Sequence, residues 1–185
     1  MATWKFDPAH TTVGFTARHM MVTTVRGQFA PPEGKLVFDP ENPAASYVEA
    51  TIDAKTLTSG VEQRDNHLRS ADFLETEKYP TITFKSTKVE VKGENEGKVT
   101  GDLTIHGVTH PVTLNVEYLG ALNSPFGDKR AGFSATTKIN REDWGLTWNV
   151  AVEAGGVLVG KEIKLEIDVE AILVPETETA ATASN

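Results

Sequence analysis

Glu162-Ile163-Lys164-Leu165-Glu166-Ile167-Asp168-Val169-Glu170-Ala171-Ile172-Leu173 alternates apolar and polar residues along most of its length. Successive side chains of a β-strand point to opposite faces, so this period of two gathers Ile163, Leu165, Ile167, Val169, Ala171 and Leu173 on one side. The charged residues fall on the other. The stretch reads as a long strand with one greasy and one wet face.

The same rule recurs along the chain. Thr12–His19 places Val13, Phe15 and Ala17 together, Tyr47–Asp53 places Val48, Ala50 and Ile52, and Thr81–Lys85 places Ile82 and Phe84. Val99–Ile105, Pro111–Tyr118 and Ala131–Ile139 follow it, and Trp4–Asp7 and Gly34–Phe38 add shorter strand candidates. Turn chemistry separates the runs at 39–43, 93–97 and 123–128, with 106–111 read as a hairpin connection. Residues 61–70 interrupt the pattern as the one clear helix, with Thr58 and Ser59 as capping candidates. A short turn is expected over Arg141–Trp144.

About eight antiparallel strands with little helix point to an all-β, up-and-down barrel or a sandwich. An eight-stranded barrel holds either packed side chains or one small ligand. Two features favour a cavity. The apolar faces are rich in Val, Ala and Ile, and Gly14 and Gly101 sit in strands where a side chain would otherwise fill space.

Composition narrows the function. The chain has 185 residues, 18 Lys plus Arg, 26 Asp plus Glu, a net charge of −8 and no Cys. A chain of this length buries enough surface to fold without disulfides or metals, and the lack of Cys rules out thiolate chemistry. The acidic balance opposes phosphate-backbone binding, so no nucleic acid partner is expected. No apolar run is long enough for a spanning helix, so stable membrane insertion is not expected either. The first residues lack a signal-peptide pattern, from which a cytoplasmic location is expected, or a periplasmic one had a leader been removed. Residues 175–185 carry no large apolar side chain and are expected to form a disordered tail after a barrel domain over 1–174.

Several polar clusters invite chemical readings. Arg64, Asp65, His67, Arg69 and Asp72 crowd the helical stretch, where a network fixing the helix to the barrel rim competes with a polar mouth for a ligand head group. His106 and His110 flank a turn and lack the further ligands a metal needs. No phosphate-cradling loop or nucleophile elbow is present. The Gly-x-Trp signature of orthodox lipocalins is missing too, because Trp4 follows Ala2 and Thr3. No cofactor or metal is expected.

Seven ordered motifs carry a resemblance: Trp4-x-x-Asp7-x-x-His10 with Val13–Met20, then Val25–Phe29, Arg64–Phe73, Tyr79–Ser86, Gly101–Val108 and Ile139–Gly145. Through them the chain resembles the YceI-like family of polyisoprenoid-binding, lipocalin-like barrels, from Trp4 to about Leu173. It departs from the family in carrying Trp144 where members commonly have Phe. The resemblance implies an extended eight-stranded antiparallel barrel with an elongated apolar pore for a long-chain isoprenoid lipid, either polyprenyl or quinone-type, and a possible homodimer. Phe15, Val48, Ile52, Phe84, Leu103, Ile105, Leu114, Phe133 and Leu165 are expected to line the pore. By resemblance, His19, Met20, Arg64, His67, Leu68 and Trp144 would lie near its mouth. The expected role is non-enzymatic sequestration or transport. The rivals are an enzyme acting on a prenylated or quinone-like substrate at the mouth, and a packed interaction module.

Overall fold

The computed structural model describes residues 1–176. The strands run β1 Ala2–Phe6, β2 Thr12–His19, β3 Thr23–Phe29, β4 Glu33–Phe38, β5 Tyr47–Asp53, β6 Thr81–Val91, β7 Glu96–Ile105, β8 Val108–Asn123, β9 Lys129–Asn140 and β10 Val159–Leu173, with helix α1 at Glu62–Arg69. The expected tail at 175–185 lies, beyond its first two residues, outside the described residues.

Ten strands close an eight-stranded antiparallel barrel because two of its staves are interrupted. β10 pairs with β2 along its first part (Ile163↔Ala17 to Asp168↔Thr12) and with β1 near its end (Ala171↔Phe6 to Leu173↔Trp4). β3 and β4 lie beside β2 and β1 in the same way. The remaining strands pair in chain order from β4 round to β10. Each interruption has a local cause. Asp7-Pro8 breaks the first stave, where the Asp7 carboxylate accepts from the Ala9 N–H at 3.0 Å. Pro31-Pro32 breaks the second, since proline has no N–H to give a ladder.

β3 is absent from the strands expected from sequence. Its inward face reads Val25, Gly27, Phe29, too weak an alternation to stand out. Gly27 is needed there, because a Cβ would sit 2.3 Å from the Phe15 ring. Gly101 behaves alike. Its missing side chain makes room for the Phe84 ring, which would lie 2.5 Å from a Cβ, so it leaves no extra space for a guest. Gly14 alternates with the inward-facing Val13 and Phe15, so it adds nothing to the interior. The expectation that these two glycines hollow out the barrel is corrected accordingly.

The tight turn at His106-Gly107 is shorter than expected, with Ile105 opposite Val108. Both turn residues have positive φ (53° and 71°), as a two-residue hairpin turn demands. Helix α1 is not capped by a Ser or Thr side chain: its N-cap is Val61. Ser59 instead donates through its N–H to Asp65 at 2.8 Å, and its hydroxyl also binds that carboxylate. Burial alone would push the Asp65 carboxyl up, but these hydrogen bonds outweigh it and hold it below its ordinary value.

Candidate functional site

The barrel encloses a cavity of about 440 Å³, within the usual range for small-molecule sites. Its wall is the inward face of the alternating strands, and it is almost wholly apolar. Phe15, Val48, Ile52, Leu68, Phe84, Leu103, Ile105, Leu114, Phe133, Trp144 and Leu165 all line it. Many of these point inward yet remain only half-buried, Phe15, Phe84, Leu114, Phe133 and Leu165 among them. Residues that face a filled core lose nearly all their accessible surface, so this partial exposure marks an interior that is not plugged.

His19, Met20, Arg64 and His67 do not line the cavity. Met20 is exposed in the β2–β3 turn. Arg64 is held by Ser59, its Nε 2.7 Å from the hydroxyl and its Nη2 2.9 Å from the carbonyl. His67 pairs with Asp72 at 2.9 Å and sets its ring edge-on to Trp148, with centroids 4.6 Å apart. The polar cluster of the helix therefore ties α1 to the segments on either side of it. Arg69 extends the tie by donating to the carbonyls of Lys55 and Leu57.

The end of the cavity beside α1 is shut. Leu57, Phe73, Trp144 and Leu146 are buried there. The Trp144 indole donates to the Leu103 carbonyl at 3.0 Å, which fixes the ring across the barrel end. Beneath it, the buried Arg141 donates to the carbonyls of Leu146 (2.6 Å), Gly160 (3.0 Å) and Val159 (3.2 Å). Burial lowers the Arg141 pKa from its ordinary value. The expectation of a mouth at this end, with Leu68 and Trp144 on its rim, is corrected: these two side chains help to close it.

The opposite end carries the wet residues. Pro40, Ser46, Tyr47, Glu90, Glu94, Asn95 and Glu96 line the cavity there, and Pro40 and residues 91–96 are exposed. The β6–β7 turn is drawn to the barrel by the Tyr118 N–H, which donates to the Asn95 carbonyl at 2.7 Å. Just inside, Phe38 meets Phe133 edge-on at 5.0 Å and Tyr118 at 5.1 Å. Burial pushes the Tyr118 phenol pKa up, while a hydrogen bond to Glu49, aided by burial, raises that of Tyr47 to about 12. In the sequence these turns stand only as connections. Their only signal is the same parity rule, which stops where the strand stops.

Two groups outside the cavity bear on metals. His106 lies 3.3 Å from the Trp144 carbonyl and 3.4 Å from Glu75, a structural placement. Asp7, His10 and Glu170 bring ligand atoms within 4.8 Å of one another. Arg130 already binds both carboxylates there, at 2.8 Å from Asp7, and completes a salt-bridge network with Asp128.

The family profile of the YceI-like domain matches residues 4–171. Protein YceI of Escherichia coli O157:H7 is 41% identical over 173 residues, covering 92% of this chain and 87% of its own. The crystal structure of the Campylobacter jejuni YceI protein superposes with a TM-score of 0.73 at 32% identity, over 85% of this chain and 90% of that one. A polyisoprenoid binding domain from Saccharophagus degradans shares the fold at a TM-score of 0.68 and 16% identity, over 94% and 99%. Profile, relatives and barrel agree: the chain belongs to the YceI-like family.

Proposed function

We propose that the protein binds a long-chain isoprenoid lipid inside its barrel, without turnover, and so sequesters or transports it. The observation that carries this reading is the tube of about 440 Å³ whose wall is built from alternate apolar side chains of every stave. The name of the Saccharophagus degradans domain, a polyisoprenoid binding domain with the same fold, supports the ligand class. Burying hydrocarbon contributes about 0.8 kcal/mol per CH₂, so one five-carbon unit contributes roughly 3–4 kcal/mol before costs. Association and ordering cost about 4–15 kcal/mol, which a few buried units offset. No catalytic group is required for such affinity. His19, Arg64 and Asp65, the residues a catalytic rival would use, do not line the cavity, and Arg64 and Asp65 are committed to Ser59, which favours binding over turnover.

Organic extraction of the purified protein followed by mass spectrometry tests the proposal. A prenyl species, or uptake of added polyprenyl lipid in molar proportion, is the expected result. Neither a co-purified prenyl lipid nor uptake would overturn it.

A further inference from the structure

We infer that the tip of the β2–β3 hairpin docks on an anionic lipid bilayer. Met20, Met21, Val22 and Val150 enter the headgroup layer, and Arg18 and Arg26 meet the lipid phosphates. The surface lies outside the lumen at the shut end, where Val159 pairs with His19 and receives Arg141, so it anchors the barrel rather than filling it. The first observation is an apolar tip on a backbone suited to other residues. Met20 and Met21 adopt φ of 50° and 63°, the left-handed region that asparagine and glycine occupy at little cost. Both are instead large, apolar and exposed, Met21 at 64%, and the adjoining Val22 is exposed at 75%. The turn is tied down by the Val22 N–H, which donates to the His19 carbonyl at 3.1 Å. Exposed Val150 extends the patch through Leu158. The Met20 N–H donates to the Leu158 carbonyl at 2.8 Å, and the Leu158 N–H donates to the Val150 carbonyl at 2.9 Å. Met21 also leans on this second loop, since a Cβ at Gly156 would come within 2.9 Å of both the Met21 sulfur and the Val152 side chain.

The second observation is the charge behind this tip. Ala17 lines the lumen, so its neighbour Arg18 points outward, and the register Ala17↔Val25 puts Arg26 on the same outer face. The two arginines are diagonal cross-strand neighbours, roughly 7–8 Å apart at the backbone. Both are exposed, and among the described residues neither has a carboxylate within salt-bridge reach. Other charges on this side are paired with each other, Lys164 with Glu166 at 2.8 Å and Lys161 with Glu142 at 3.4 Å. Glu153, exposed on the loop beside Met21, opposes the two arginines only in part. The net charge of −8 does not decide the contact, because charges beyond about 8 Å are largely screened at physiological ionic strength. An apolar apex with a cationic collar suits the boundary between headgroups and acyl chains. A protein partner fits less well. The four apolar side chains offer on the order of 400 Å², the size of an ordinary surface patch, against the ~800 Å² that each side of a stable interface buries.

The test uses the full chain and vesicles free of prenyl lipid, so that uptake into the barrel does not contribute. Vesicles of phosphatidylglycerol and phosphatidylcholine in equal parts should bind the protein about 25-fold more tightly than pure phosphatidylcholine, about five-fold for each arginine. The double variant Arg18→Gln, Arg26→Gln should erase that preference. The double variant Met20→Asn, Met21→Gly should weaken binding to the mixed vesicles at least about ten-fold. Its thermal midpoint should hold or rise, because asparagine and glycine fit the left-handed backbone, and this separates lost docking from lost folding. Val22→Ser, at a solvent-exposed position, should weaken binding about five-fold and serves as the test if the turn variant folds poorly. No binding to the mixed vesicles, an anionic preference that survives loss of both arginines, or undiminished binding by the tip variants would overturn the inference. A solution dimer that the turn variant dissolves would also overturn it, by assigning the tip to a second copy of the chain.

Discussion

The two ends of the barrel are built from opposite solutions to one problem. A barrel's staves satisfy their own backbone along its length, but each end leaves carbonyls and apolar rims for something else to cover. At the α1 end, Trp144 and Arg141 reach across and donate to four carbonyls, and Phe73, Leu57 and Leu146 fill the space between. At the β6–β7 end the turns stay out in solvent, and three aromatic rings narrow the lumen below them. Closing an end takes long side chains with donors: the α1 end has two that make four such bonds, while the other has the Trp4 indole making one, to the Phe38 carbonyl at 3.2 Å. The tube is therefore polarised: an apolar guest has a blind side and a wet side.

That contrast can be broken from the shut end. Trp144→Ala removes a buried indole and its hydrogen bond, and should cost about 3–5 kcal/mol, read as a lower denaturant midpoint. A loss under 1 kcal/mol would show that the indole does not hold the barrel end together. Filling the lumen between the ends is the next test. Phe84→Arg should cut lipid uptake by about 100-fold, close to 2.7 kcal/mol, while the far-UV β spectrum persists. Undiminished uptake would place the guest elsewhere.

A smaller effect separates packing from vacancy. A Cβ at Gly101 would lie 2.6 Å from the Lys85 carbonyl as well as against the Phe84 ring, and the backbone contact cannot yield cheaply. Gly101→Ala should therefore destabilise by about 1–3 kcal/mol. A neutral result would mean that the strands shift to accommodate it.

The smallest expected effect is a pH dependence near the interrupted stave. Hydrogen bonds from Arg130 and then Ser124 hold the Asp128 carboxyl at about 2, below its ordinary 3.8. A depressed carboxyl contributes stability above its unfolded value, so this contribution is full above about pH 4 and fades as pH falls from 3.8 toward 2. His10 runs the other way. Its hydrogen bond to Asp7 raises its pKa above 6.5, so its contribution is full below 6.5 and lost as pH rises through the raised value. Thermal midpoints of Asp128→Asn should lose the acid-side slope, and those of His10→Ala the slope on the alkaline side. Slopes unchanged in both variants would remove the network as their source.

Much of the wall is legible in the sequence. The parity of β10, β2, β6 and β8 names Leu165, Phe15, Phe84 and Leu114 as neighbours of one interior, because strand geometry is local and a side chain's face follows from its neighbours in sequence. The family motifs added that the interior belongs to a barrel. Gly101 misled, since a missing side chain reads as space until the ring that fills it is known. The mouth was misplaced for a related reason. Charged residues such as Arg64 and His67 look alike in sequence whether they face a ligand or anchor a helix, and only Ser59 and Asp72 decide between these.

Sequence alone determined which residues alternate, which turns interrupt them and how much hydrocarbon faces inward, since all of these follow from covalent neighbours. Tertiary structure decided that ten strands make eight staves and that Trp144 and Arg141 shut one end. Those outcomes depend on partners far along the chain, such as Trp144 and Leu103 or Arg130 and Asp7, which only closure of the barrel brings within hydrogen-bond reach.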